Sequence, residues 1–223
     1  MIEVFECEGF EVIKGVLNSA EISELRVAVD ELAAAEEKAC VRGVAGKSVL
    51  IRDLAESNTL RRFLPADYIL VRSILFDKTV DENWPVLWHQ DLTIAVRERK
   101  EVVGYGPWSV KDGVEHVQPP SEVLQQMVTL RVHLDPTPET NGALRVIKQS
   151  HQSGKIETSS VHKAVKGGQE VVCECEPGDV LKMSTLALHA SRRSEQPTRR
   201  RVLHFEYAHK DCLHSELRWL VIQ

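Results

Sequence analysis

The chain has 223 residues, 43% hydrophobic and 27% charged, which suffices for one globular domain with its own core. Twenty-eight basic against 33 acidic residues give a net charge of −5, which speaks against nucleic acid as a partner. No apolar run reaches the roughly 18–20 residues of a membrane helix; Glu3, Glu6 and Glu8 stand where an export signal carries positive charge, and an odd cysteine count suits a reducing cytoplasm.

In chain order, the first 40 residues read as a strand followed by a helix. Asn18 with Glu21 forms a capping box, and Ile22, Leu25, Val29 and Leu32 recur at helical spacing. A second short helix is predicted over 53–64, ended by Pro65, so that 18–64 is a helical flank. The main β region spans 67–208. Its predicted strands are 68–76, 86–93, 127–134, 143–147, 170–175, 180–184, 186–189 and 200–207. Asn141-Gly142, Gly167-Gly168 and Glu176-Pro177-Gly178-Asp179 are turn signals, the last of type II because Gly supplies the positive φ. Many strands without alternating helices predict a sandwich or barrel in a single domain, 1–223. Residues 96–122 contain Gly104, Gly106, Pro107, Trp108, Gly113, Pro119 and Pro120 and read as one long loop, a lid or binding element.

The chemistry rests on histidines. Phosphate-binding loops, dinucleotide fingerprints, the nucleophile elbow and the His-Glu-x-x-His helix are all absent. Cys173 and Cys175 lack zinc-knuckle spacing. On a strand, His-x-Asp presents imidazole and carboxylate on one face, and one further His completes a 2-His-1-carboxylate set for Fe(II) with open positions. Three His-x-Asp pairs occur, His89/Asp91, His133/Asp135 and His209/Asp211, with His204/Glu206 and His214/Glu216 besides. Context favours His89/Asp91, next to Trp84 and Trp88 and the long segment that follows. His133/Asp135 stays open. In 127–134, Thr129, Arg131 and His133 alternate against Leu130, Val132 and Leu134, a polar face directed at solvent or a wet cavity.

Trp88-His89-Gln90-Asp91-Leu92, the run from Asn141 to Ile147, Ser150-His151, His189 and Arg200 together resemble the phytanoyl-CoA dioxygenase family, most strongly over 67–208. The resemblance implies a mainly β fold with flanking helices, a double-stranded β-helix (jelly roll, cupin-like). It further implies an Fe(II)- and 2-oxoglutarate-dependent dioxygenase with His89, Asp91 and His189 as iron ligands. Arg200, eleven positions past His189, would hold the distal carboxylate of 2-oxoglutarate; Ser191 and Arg131 would contact the same cosubstrate. With O2 the expected outcome is hydroxylation of a small molecule with release of succinate and CO2, since Asp91 fills the position that halogenating relatives leave open. Two departures are visible. The segment after the distal His reads His189-Ala190-Ser191-Arg192-Arg193, and Lys148-Gln149-Ser150-His151 replaces the family's usual Pro-Gly-Ser-His. Arg199 and Arg201 flank Arg200, and alternation alone does not choose among them. A cupin-type Zn(II) hydrolase or isomerase and a non-catalytic small-molecule binder are the rival readings.

Overall fold

The computed structural model describes residues 4–196 and 198–220. Thirteen strands run in chain order: β1 (Phe10–Ile13), β2 (Cys40–Arg42), β3 (Tyr68–Lys78), β4 (Val86–His89), β5 (Ile94–Val96), β6 (Trp108–Lys111), β7 (Val114–Val117), β8 (Met127–His133), β9 (Leu144–Ile147), β10 (Glu170–Cys173), β11 (Val180–Ser184), β12 (His189–Ser191) and β13 (Arg200–His209). Antiparallel pairing sorts them into a six-stranded sheet, β1-β11-β8-β13-β3-β2, a four-stranded sheet, β10-β9-β12-β4, and a three-stranded sheet, β5-β7-β6. The two larger sheets form a jelly roll, as expected, without closing into a barrel.

Alternation along β8 and β13 separates two environments. Val128, Leu130 and Val132 with Leu203, Phe205 and Tyr207 turn to the outer face of the large sheet. There they pack against Ile22, Leu25, Val29 and Leu32 of the helix Ser19–Glu36. That helix starts as its capping box requires: the Asn18 side chain accepts from Ala20 and Glu21 N–H, and Glu21 accepts from Asn18 N–H. The opposite faces of β8 and β13 carry Arg131, His133, Val202 and His204 into a cavity between the sheets. A second cluster, Phe10, Leu144, Val146, Leu181 and Met183, packs β1, β9 and β11 and fills the space beside that cavity.

Several boundaries differ from the sequence reading. The strand expected over 86–93 ends at His89, because Asp91 N–H bonds the Thr185 carbonyl and the Gln90 side chain spans from Gly154 and Leu186 carbonyls to Ile156 N–H. The strand expected over 186–189 lies at His189–Ser191; residues before it form a turn in which the Ser184 hydroxyl accepts from Leu186 N–H. Segment 96–122 is no open loop: β6 and β7 form a hairpin that pairs with β5. The helix expected over 53–64 appears as Val49–Glu56 and Asn58–Arg61. The Glu176–Asp179 turn has Gly178 at φ +88° and Asp179 N–H on the Glu176 carbonyl, as type II geometry demands. Among the described residues no helix is long and apolar enough to cross a membrane.

Candidate metal centre and cosubstrate cavity

The structure brings His89, Asp91 and His189 together. His89 ends β4, His189 begins β12, and the two are register partners across the antiparallel pair. Asp91 follows in the coil after β4, so strand alternation does not place it; the Thr185 and Gln90 bonds do. The ligand atoms of the three side chains lie within 4.8 Å of one another. His89 Nε2 is 3.8 Å from one Asp91 oxygen and His189 Nε2 is 3.7 Å from the other. Those separations are too long for hydrogen bonds. They approach the roughly 3 Å edge of an octahedron built on metal–ligand bonds of about 2.1 Å.

Hydrogen bonding sets the imidazole tautomers. His89 Nδ1 faces the Leu87 carbonyl at 2.8 Å and His189 Nδ1 faces the Ala187 carbonyl at 2.9 Å. A carbonyl only accepts, so each Nδ1 carries the proton and each Nε2 turns a lone pair towards Asp91. Burial pulls the His189 ring down to about 4, against the opposing pull of Asp91, which keeps the ring neutral at pH 7. Burial works against the Asp91 carboxylate, but His189, His204, Arg72 and His89 outweigh it and hold its pKa below the ordinary carboxylate range. Asp91 Oδ2 is buried with no hydrogen-bond partner among the described residues. Two free imidazole lone pairs and an orphaned carboxylate oxygen converging on one point fit a divalent cation.

Beside this cluster lies a cavity of about 150 Å³, bounded by both sheets. Arg200, Ser191 and Arg131 all line it, together with Lys78, Phe76 and Trp84. The arginine triplet separates cleanly. Arg199 forms a two-bond pair with Asp77 and reaches Asp30. Arg201 clamps Asp135 through Nε and Nη2 and also reaches Asp30. Arg200, 9% exposed, has no carboxylate partner among the described residues and donates only to the Gly142 carbonyl. Gly142 itself sits at φ +70°, and a Cβ there would meet the Arg192 carbonyl at 2.8 Å and the Arg200 guanidinium at 3.4 Å. Glycine is therefore required both by the backbone and by the approach of Arg200.

Burial, together with Arg131, lowers the Arg200 guanidinium to about 10. Burial, then Arg200 and Arg131, brings the Lys78 amine to about 7. Lys78 donates to the Trp84 carbonyl at 2.5 Å and lies over the Trp84 ring. Arg131 donates to His204 Nδ1 at 2.8 Å, His204 Nε2 donates to Glu206 at 2.9 Å, and Glu206 is held by Arg72. Four basic side chains, Arg72, Lys78, Arg131 and Arg200, thus line one small cavity, and among the described residues on its wall the single acid is Asp91.

The other histidine–acid pairs are put to different uses. Asp135 belongs to the Arg201 and Arg26 ion pairs, while His133 bonds Thr137 Oγ1, so this pair does not converge. His204 and Glu206 also lie within metal-ligand reach of Asp91, but Arg72 already supplies the positive charge there. His209 and His214 cap local turns through Asp211 and Glu216 N–H. The residues that the sequence reading passed over are Lys78 and Arg72. Each sits on β3 in phase with Ile74 and Phe76 on the face that lines the cavity, and a cation among these apolar side chains was the available signal. Another depression, of about 700 Å³, lies over β1 and residues 62–68 and contains none of these clusters.

The sequence profile of the phytanoyl-CoA dioxygenase (PhyH) family matches residues 5–202. The chain belongs to that family. As a member it is an iron- and 2-oxoglutarate-dependent enzyme that uses O2. No curated protein sequence matches it. Among solved structures it resembles the non-heme alpha ketoglutarate dependent carbocyclase SnoK from nogalamycin biosynthesis, at TM-score 0.71 and 17% identity over 93% of this chain and 82% of that one. EctD from S. alaskensis, solved with 2-oxoglutarate and 5-hydroxyectoine, gives TM-score 0.70 at 17% identity, covering 92% and 73%. HygX from Streptomyces hygroscopicus, solved with nickel and 2-oxoglutarate, gives 0.65 at 18%, covering 92% and 84%. At these identities the likeness is one of fold.

Proposed function

We propose that this family member hydroxylates a small organic molecule at an iron held by His89, Asp91 and His189, with 2-oxoglutarate in the cavity lined by Arg200. The carrying observation is the pairing of a three-donor cluster, freed of protein hydrogen bonds on its inner side, with a buried guanidinium that has no acidic partner. When bound, Fe(II) with 2-oxoglutarate and O2 supplies an oxidant for an unactivated C–H bond, and the keto acid leaves as succinate and CO2.

The chain's own contribution is geometry and charge. Arg200 offers two parallel donors to the distal carboxylate, a task for which a planar guanidinium is suited. Lys78, whose amine is only partly protonated at neutral pH in the free protein, adds positive charge at the same wall, and Ser191, on the strand of His189, offers a hydroxyl. Arg131 is held by His204 and keeps its charge near the cosubstrate. Phe76, Val86 and Leu144 exclude water from this end of the cavity. The carbonyls of Leu87 and Ala187 keep both imidazoles in the ligating tautomer. SnoK, called a carbocyclase, shows that the fold also hosts other outcomes; Asp91, as a third protein ligand, favours oxygen transfer over halogenation. Five free cysteines, two of them buried, agree with a reducing compartment such as the cytoplasm.

Anaerobic titration tests this reading. A metal-to-ligand charge-transfer band is expected only when Fe(II) and 2-oxoglutarate are both present. It should vanish in His189→Ala. Tight metal binding with no such band, and full activity in Arg200→Ala, would instead establish the cupin-type Zn(II) reading.

A further inference from the structure

A second cavity, of about 270 Å³, lies beneath the β6–β7 hairpin. Arg42, Lys47, Arg72, Asp112 and His116 line it over an apolar floor that includes Ala95 and Val114. Arg72 is common to this cavity and the one beside the metal cluster. Thr93, two residues past Asp91, ties Arg72 to the hairpin: its carbonyl accepts from Arg72 at 3.1 Å and its hydroxyl from Lys111 at 3.2 Å. A molecule held here is one guanidinium away from Asp91.

The charges around it do not balance. Asp112 is shared by Lys38 and Arg42, Lys47 pairs with Glu36, and Arg72 pairs with Glu206. Lys111 has no carboxylate partner among the described residues. The cations that line the cavity, Arg42, Lys47 and Arg72, are each paired, so Lys111, close to Arg72 and His116 on the hairpin, brings an uncompensated positive charge to its edge. Two polar atoms are also buried without partners: Arg72 Nε, a donor, and His116 Nε2. His116 is 1% exposed, and its Nδ1 faces the Val114 carbonyl at 3.0 Å, so Nδ1 carries the proton and Nε2 is an acceptor. Burial lowers the ring's pKa and keeps that lone pair available. Unsatisfied buried groups in a cavity call for a ligand that supplies their partners.

We infer that this cavity binds the substrate, and that the substrate is a small organic acid, carboxylate or phosphate ester, that also carries a hydroxyl or amine donor. The acid group meets Arg42, Arg72 and Lys111, and the donor meets His116 Nε2. Its role as substrate site rests on the iron and 2-oxoglutarate reading above; its preference for a hydroxylated anion does not.

Saturation-transfer NMR on the full chain, with Zn(II) as a redox-inert metal and saturating 2-oxoglutarate, separates the two. The probes are 3-hydroxybutyrate, glycerol 3-phosphate, butyrate and the neutral 3-hydroxybutyramide. Binding of 3-hydroxybutyrate or glycerol 3-phosphate is expected, the stronger of the two identifying the acid group, with butyrate weaker and the amide silent. Lys111→Gln, a change on the hairpin that removes one charge, should weaken binding about tenfold or more. His116→Leu should erase the advantage of 3-hydroxybutyrate over butyrate. Silence of all four probes, or binding unchanged in both variants, overturns the proposal. The 2-oxoglutarate signal in the same tubes, lost in Arg200→Met, reports separately on the iron-site reading.

Discussion

Replacing Arg200 by Met should make the protein lose its response to 2-oxoglutarate while leaving the ligand-free fold at least as stable. In the folded chain burial and the neighbouring Arg131 lower the guanidinium to about 10, a fall from its ordinary value that corresponds to about 3 kcal/mol against the charged form at neutral pH. Its one protein hydrogen bond, to the Gly142 carbonyl, returns only about 1 kcal/mol. The free protein therefore holds Arg200 at a net expense, and Met fills the volume without that expense. Binding has the opposite sign. Removing one member of a buried charge pair loses about 3 kcal/mol, roughly 150-fold in affinity. At a keto-acid concentration 100 times the wild-type Kd, with Zn(II) present, the wild type gains about 2.7 kcal/mol and the variant about 0.3 kcal/mol. For a domain of this size that is a rise in Tm of roughly 5–10 °C against about 1 °C, measured by thermal denaturation. An undiminished rise in the variant, or a ligand-free variant several degrees less stable than wild type, refutes the reasoning.

Three further outcomes are expected. His89→Ala, Asp91→Ala and His189→Ala should each reduce metal binding by at least tenfold, measured by competition with a chromogenic chelator, while the far-UV spectrum is kept. Lys78 carries a pKa of about 7 in the fold against 10.5 unfolded, so the unfolded chain binds more protons between these values. Stability should rise with pH across about 7 to 10.5, and denaturant melts of Lys78→Met should lack that increment, whatever the cysteines add to both. Asp135→Asn breaks the buried pair with Arg201 and should lower stability by about 3 kcal/mol, with 2-oxoglutarate affinity unchanged in the same titration. A large loss of affinity there would return Arg201 to consideration as the clamp.

Much of the architecture was legible because side-chain polarity alternates so regularly, although both faces are buried. Val128, Leu130 and Val132 against Thr129, Arg131 and His133 declared both faces of β8, and the polar face does look onto a cavity. Asn18 and Glu21 announced the helix start. The arginine triplet was not legible, since period-2 reasoning leaves neighbours equivalent; Asp77 and Asp135, distant in sequence, distinguish Arg199 and Arg201 from Arg200. The hairpin at 108–117 was hidden by the surrounding Gly and Pro, and its register depends on β5, which no local pattern marks. Asp91 was read correctly as a neighbour of His89 for a reason that does not hold, because it lies beyond the strand and is placed by Thr185 and Gln90.

The β4–β12 pairing has a practical consequence. β4 is a four-residue border strand joined to the rest of its sheet through β12 alone, and its Leu87 is 83% exposed. His89 and His189 face each other across that seam, so a cation gripping both rivets the border in place. Purified under chelating conditions, the chain should fray first along this margin and offer a greasy, unpaired ribbon to its copies. Storage with a divalent ion is then a matter of colloidal hygiene as much as of turnover.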